Sequence, residues 1–132
     1  LLCSTLLYIF LWPHDDLFSV QTTGLTGLAV AEFAHRDLGR LYTRIMRVLE
    51  TIPSESGYRK HTEKLIRERN DILQQNKVVA VVEEKINCGQ IEELILQAKN
   101  ELQLAQDMKT WKPWESLIEE PPQHQWTWPP HK

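Results

Sequence analysis

Apolar residues recur at spacings of three and four positions along most of the chain, and this periodicity constrains the fold more than any other feature. Between Arg36 and Ile52 they fall on one face of a helix, at Leu38, Leu41, Tyr42, Ile45, Val48, Leu49 and Ile52. A stripe of this kind must be buried against a second apolar surface. The sequence therefore predicts an all-α fold of amphipathic helices that cover one another.

Breaks in the pattern divide the rest of the middle region into three further helices. Pro53 ends the first helix, and Ser54 is the predicted cap of the second. The second helix carries one stripe, at Tyr58, Thr62, Leu65, Ile66, Arg69, Ile72 and Leu73. The stretch 77–87 is predicted as a short helix, although its valines favour a strand by propensity.

Gly89 precedes the last helix, whose positive first turn holds Glu92 and Glu93. Its apolar stripe comprises Ile91, Leu94, Ile95, Ala98, Leu102 and Ala105. We therefore predict a small antiparallel helical bundle of three longer helices and one shorter helix.

The two ends of the chain differ in composition from this helical middle. The apolar run at the start stops at Pro13, which is too short for a membrane-spanning helix of about 20 residues. Five of the seven prolines and four of the five tryptophans lie from position 111 onward, so that part is predicted to be extended. The predicted division is an uninformative extension at 1–20, an N-terminal arm at 21–35, the bundle at 36–110 and a tail at 111–132.

Composition and spacing give no positive support to catalysis, a cofactor or a metal. The net charge of −3 does not favour a nucleic-acid partner, and the two cysteines and five histidines lack the paired spacing of a four-ligand zinc site. No glycine-rich phosphate loop or nucleophile elbow is present. A small enzyme that used His61 or adjacent acids such as Glu83 and Glu84 would need those groups to meet in a pocket, and neighbours on a helix point about 100° apart. We expect no catalytic, cofactor-binding or metal-binding residues.

Two features are candidate interfaces. The first is an arginine face on the opposite side of the first helix from the apolar stripe, where four side chains lie within about 80° of one another. It comprises Arg36, Arg40, Arg44 and Arg47. A solvated surface is the ordinary interpretation of such charges. The alternative is contact with an acidic partner surface or an anionic lipid head group, because four like charges on one face repel one another.

The second candidate is the set of aromatic and proline residues in the tail, Trp111, Pro113, Trp114, Trp126 and Trp128. Four tryptophans carry about 600–1,000 Å² of surface, more than the largest apolar patch of a typical monomer. Trp111 and Trp114 follow the last helix closely, so packing on the bundle and contact with a partner are both open to them. For Trp126 and Trp128 we favour a partner protein, because Trp is enriched at interface hot spots.

Short sequence motifs across most of the chain resemble one known family. They include Thr22-Thr23-Gly24-Leu25 with Gly27-Leu28-Ala29-Val30, Leu41-Tyr42-Thr43, Ile52-Pro53, Tyr58-Arg59-Lys60 with Thr62-Glu63, Gly89-Gln90 with Glu92-Glu93, Leu96-Gln97-Ala98, Trp111-Lys112-Pro113-Trp114-Glu115, Glu119-Glu120-Pro121-Pro122 and Gln125-Trp126. Over about 22–129 the chain is similar to the accessory subunits numbered five of the alpha subcomplex of mitochondrial NADH:ubiquinone oxidoreductase, respiratory complex I. The family lacks the apolar start at 1–20, and the stretch 77–86 matches it poorly.

The resemblance implies a non-catalytic accessory subunit without a cofactor, which supports assembly and stability of the peripheral arm near the quinone-reducing module. It implies a place on the matrix side of the mitochondrial inner membrane. The partners it implies are other complex I subunits, among them the thirty-kilodalton core subunit and, in animal enzymes, the forty-two-kilodalton accessory subunit. The predicted bundle and its partner-seeking tail agree with these expectations.

A different class of protein remains an alternative at this stage. Matrix adaptors of the Leu-Tyr-Arg type are helical bundles that bind acyl carrier protein, and the arginine face would suit such an acidic carrier. The motif is interrupted in this chain, because Leu41-Tyr42 is followed by Thr43 before Arg44.

Overall fold

The computed structural model describes residues 22–129, and all the regular secondary structure among them is helical. Helix α1 spans Ala34–Glu50, α2 Gly57–Gln75, α3 Val79–Ile86 and α4 Ile91–Trp111. Their lengths of 17, 19, 8 and 21 residues confirm the predicted set of three longer helices and one shorter helix. The extension predicted at 1–20 lies outside the described residues.

The three longer helices run alternately up, down and up. The Nε2 atom of His35 lies 2.9 Å from the carbonyl oxygen of Leu73, so the start of α1 meets the end of α2. At the other end Arg59 donates a hydrogen bond to the carbonyl oxygen of Ile52. Helix α2 is therefore antiparallel to α1. Helix α4 returns beside α1, and the short helix α3 bridges from α2 to α4.

The core lies where the apolar stripes of α1 and α4 meet over α2. Every predicted apolar position of α4 is buried, and in the α1 stripe only Val48 is partly exposed. The largest fully buried side chains are Tyr42, Leu38, Ile45, Leu49, Ile52, Leu73, Leu94 and Val82. Burying a Leu or Ile side chain contributes about 1.5–3 kcal/mol, so this contiguous cluster is the main stabilising element of the bundle.

Several details of the predicted elements were wrong. Helix α1 covers 34–50 instead of 36–52, because the chain tightens before Pro53 and the Ile52 amide bonds to the carbonyl of Leu49. Ser56, not Ser54, is the residue that precedes α2, and its side chain makes no capping hydrogen bond. Leu65 is 45% exposed because it lies at the margin of the α2 stripe.

The N-terminal arm is tied to the start of α4. The Thr23 hydroxyl donates a 2.7 Å hydrogen bond to the carbonyl of Leu28, which closes a turn over the left-handed Gly24 and Gly27. The Gln90 side-chain amide donates to the Thr23 carbonyl at 3.0 Å. The Ala31 amide donates to Glu92 at 3.2 Å. These contacts hold the arm across the N-terminus of α4.

Candidate interaction surfaces

The four arginines of the arginine face are all exposed, as expected for the side of α1 that points away from the core. Asp37 lies within 3.5 Å of Arg36 and 3.9 Å of Arg40. The Arg36 guanidinium also lies 4.2 Å from the centre of the Phe33 ring. Exposed pairs of this type contribute between about 0 and 1 kcal/mol, so they compensate the charge only weakly.

Arg44 and Arg47 have no carboxylate within ion-pair distance among residues 22–129. Arg47 lines a shallow open groove of about 510 Å³ between the C-terminal ends of α1 and α4. The other lining residues are Val48, Thr51, Gln106, Lys109 and Thr110. Both hydroxyls already donate to carbonyls of their own chain, Thr51 to Val48 and Thr110 to Gln106. The groove therefore offers a partner two cations and the side-chain amide of Gln106, a composition that suits an acidic side chain of a partner protein.

The structure divides the tail tryptophans into two kinds. Trp111 is the last residue of α4 and is 65% exposed. Lys112 then adopts a left-handed conformation, with its amide bonded to the carbonyl of Met108, and this turns the chain back toward the bundle. As a result Trp114 packs partly buried against the core. The intervening Pro113 is exposed.

Trp126 and Trp128 are 91% and 87% exposed. The chain from 115 to 129 is exposed throughout and contains neither helix nor strand. The predicted extended tail is wrong in two respects, because Trp111 still belongs to α4 and the Gln125 and Thr127 amides close turns onto the carbonyls of Pro122 and His124. Exposing two indole rings to water is unfavourable in free energy, since each has about 150–250 Å² of mostly apolar surface. They are the strongest candidates for contact with a partner.

Sequence reasoning missed two aliphatic residues in the same tail. Leu117 is 77% exposed and Ile118 is fully exposed. They lie in a short segment that has no helical repeat, so a search for apolar periodicity passes over them. The signal that could have found them is their composition: two adjacent branched aliphatics in a proline-bounded segment have no stripe of their own to join.

The groups weighed for catalysis do not converge. His61 is exposed on α2. Most of the acidic pairs serve the backbone instead: Glu93 accepts the amide of Gln90 at 2.8 Å, and Glu83 accepts the amide of Ile91 at 2.7 Å. Within residues 22–129 no group of three or more histidine, cysteine or acidic side chains could hold a metal ion.

One buried tyrosine, Tyr42, and one partly buried tyrosine, Tyr58, have raised pKa values. Burial raises the pKa of Tyr58, and the hydrogen bond from its hydroxyl to Glu101 raises it further. Burial also raises the pKa of Tyr42, while the nearby Arg69 guanidinium opposes that effect. Neither tyrosine lines the groove beside Arg47.

Membrane insertion of the described helices can be assessed from their length and hydropathy. None of the helices between residues 22 and 129 is both long and apolar enough to cross a bilayer.

Comparison with known proteins identifies the fold's relatives. The family model for the conserved region of an ETC complex I subunit matches residues 27–93. NADH dehydrogenase (ubiquinone) 1 alpha subcomplex subunit 5 of Bos taurus is 52% identical over 109 residues, which cover 83% of this chain and 94% of that protein. The subunit of the same name from Mus musculus is 46% identical with the same coverage. The chain belongs to the ETC complex I subunit family.

A third member of the ETC complex I subunit family has a longer chain. The protein named probable NADH dehydrogenase (ubiquinone) 1 alpha subcomplex subunit 5 from Caenorhabditis elegans is 46% identical over 112 residues, 85% of this chain and 75% of that protein. The conserved region of the family runs from Gly27 through α1, α2 and α3 into the first turn of α4. The predicted family is confirmed. The comparisons give no support to the alternative of an adaptor for acyl carrier protein.

Proposed function

We propose that this chain is a non-catalytic accessory subunit of mitochondrial respiratory complex I, which supports assembly and stability of the matrix peripheral arm near the quinone-reducing module. Through that role it supports electron transfer from NADH to ubiquinone. The single observation that carries the proposal is the 52% identity to the bovine subunit over 94% of that subunit's length.

The distribution of chemistry in the bundle favours a structural role over a catalytic one. The acids at the start of α4 accept hydrogen bonds from backbone amides, and the Tyr58 hydroxyl is used to join α2 to α4. These polar side chains are therefore engaged within the fold. Its exposed surface instead offers cations and bare aromatic rings, which are features of protein interfaces.

The two candidate surfaces have separate tasks in this proposal. The arginine face and its groove contact an acidic surface of a neighbouring subunit, with Arg44 and Arg47 supplying unpaired charge. The tail supplies the apolar anchor, in which Trp126 and Trp128 enter pockets of a second subunit. Buried Trp residues dominate interface energies, whereas exposed charges mainly orient and accelerate association.

The partners in this proposal are other complex I subunits, including the thirty-kilodalton core subunit and, in animal enzymes, the forty-two-kilodalton accessory subunit. The chain is placed on the matrix side of the inner membrane as a peripheral component. The names of its relatives support membership of the complex. In the part of the chain that the structure describes, no helix is long and apolar enough to cross a bilayer.

The experiment that tests this function is replacement of the chain in its native cells by a tagged copy. Mitochondria are solubilised gently, and native gels with mass spectrometry identify what travels with the tag. We expect co-migration with the NADH-oxidising assembly, and loss of that assembly when the chain is depleted. Migration as a free monomer, or with an unrelated complex, would overturn the proposal.

A further inference from the structure

The segment between the two groups of tail tryptophans combines exposed aliphatic side chains with acids. It runs from Ser116 to Glu120 and is called here the acidic aliphatic segment. Leu117 and Ile118 are 77% and 101% exposed, which makes Ile118 the most exposed large apolar residue in the described part of the chain. Isolated exposed aliphatics are common, but two adjacent ones form a small apolar patch.

The placement of this segment is set by its neighbours. Trp114 packs against the bundle core two residues before the segment begins, so the start of the tail is attached to the folded domain. After the segment, a turn in which the Thr127 amide bonds to the His124 carbonyl at 2.9 Å precedes Trp128. The aliphatic pair therefore follows the attached Trp114 by only three and four residues and precedes the distal tryptophans.

The backbone of the segment is open as well. Within residues 22–129 no backbone hydrogen bond joins 116–120 to other main-chain groups. Free amides and carbonyls next to exposed apolar side chains are what an extended peptide offers when it binds along a groove, where main-chain bonds add affinity and side-chain pockets add specificity.

The charge of the segment determines which charge the rim of a partner groove must carry. Three carboxylates, those of Glu115, Glu119 and Glu120, flank the aliphatic pair. Glu115 lies 3.6 Å from Lys112 in an exposed pair, whereas Glu119 and Glu120 have no cation within ion-pair distance in the described chain. An anionic lipid surface would repel these acids. A protein groove with an acidic rim would repel them too.

We propose that the acidic aliphatic segment docks Leu117 and Ile118 into an apolar groove of a neighbouring complex I subunit whose rim carries lysine and arginine. This inference rests on the proposed function and adds the chemistry of one partner surface. The acidic aliphatic segment requires a basic partner surface, whereas the arginine face requires an acidic one. The tail and the arginine face therefore contact different partner surfaces.

Photo-crosslinking identifies the surface directly. A photoreactive amino acid replaces Ser116 in the tagged full-length chain, which leaves both aliphatic residues in place. The chain is expressed in cells that lack its own copy, the assembled complex is purified, and the crosslinked peptide is sequenced. We expect a peptide of another subunit that contains apolar residues and lysine or arginine.

Capture of lipid, of a peptide without basic residues, or of a second copy of this chain would overturn the inference. Such results would leave the proposed function intact, because the tagged chain would still purify with the complex. Failure of the chain to join the complex at all would instead count against the proposed function itself.

Variants provide a second readout through retention in the complex during salt washes. The double variant Leu117→Ala/Ile118→Ala should dissociate at least about tenfold faster, as expected for loss of a buried apolar anchor. Leu104→Ala, which truncates a less exposed leucine on α4, is the matched control and should be retained normally. Glu119→Gln/Glu120→Gln should weaken retention at low salt and flatten its salt dependence. Unchanged retention of both double variants would contradict the inference.

Discussion

The hydroxyl of Tyr58 on α2 donates a 2.6 Å hydrogen bond to Glu101 on α4, and this contact joins two residues that lie 43 positions apart in the sequence. The bond requires a protonated phenol, and burial together with the glutamate raises the pKa of Tyr58 above its usual value of 10.0. The folded chain thus holds this proton more tightly than the unfolded chain does.

The first prediction follows from the sign of that shift. Below about pH 10 the phenol is protonated in both states, and its full contribution to stability is present. Above that pH the unfolded chain ionises first, so the free energy of unfolding should fall as the pH rises. Urea unfolding at about pH 8 and about pH 10.5 measures the loss, and Tyr58→Phe should make that loss smaller. An equal loss in the variant would show that other groups control alkaline unfolding.

The second prediction concerns Gly89, which has a φ of 95° before α4. A Cβ at this position would overlap the carboxylate of Glu93, which accepts the Gln90 amide and so caps the helix. Gly89→Ala should lower the free energy of unfolding by about 2–3 kcal/mol, from backbone strain and a weakened cap. Thermal or urea unfolding provides the measurement.

Gly57→Ala is the matched control for Gly89. Gly57 is the first residue of α2, and a Cβ there meets no atom within 4 Å. Because alanine has the higher helix propensity, this variant should be neutral or more stable by up to about 1 kcal/mol. Equal destabilisation by the two substitutions would argue against the role assigned to the Gly89 backbone.

The third prediction tests the arginine face. Arg44→Glu reverses an exposed charge that has no ion-pair partner in the described chain, so the free energy of unfolding should change by less than about 0.5 kcal/mol. Incorporation into the complex should nevertheless decrease, because the partner surface is proposed to be acidic. Lys64→Glu changes the net charge equally on an exposed part of α2 and should leave incorporation unchanged. Equal effects of the two variants would indicate general charge repulsion instead of a specific contact.

The sequence predicted the bundle well because a helix with one buried face has a helical repeat of apolar residues. Residues such as Leu38, Ile45 and Leu94 repeat with the helical period, and a residue that falls on the stripe centre is fully buried. Helix ends were less predictable. The last turn of α1 tightens before Pro53, where the Ile52 amide bonds to the carbonyl of Leu49. The Ser56 amide then bonds to the carbonyl of Pro53, and α2 begins after Ser56 instead of Ser54.

The sequence located the candidate surfaces but did not predict the groove beside Arg47 or which tail tryptophans are exposed. The arginine repeat predicted one exposed face, yet the groove beside Arg47 exists only because α4 returns parallel to α1. For Trp111 and Trp114 the sequence left both packing on the bundle and contact with a partner open. The left-handed turn at Lys112 distinguishes them, since it brings Trp114 onto the core and leaves Trp111 exposed.

The fourth prediction separates anchoring from folding in the tail. Trp126 and Trp128 are 91% and 87% exposed, so Trp126→Ala/Trp128→Ala should leave the helical content and unfolding of the free chain unchanged. Trp114 packs against the core, so Trp114→Ala should destabilise the bundle by about 1–2 kcal/mol, less than a fully buried tryptophan. Far-ultraviolet circular dichroism with urea unfolding measures both variants. Native gels should then show that the double variant joins the complex poorly although it is fully folded. Normal incorporation of the double variant would remove the distal tryptophans from the proposed interface and leave the bundle face as its main contact.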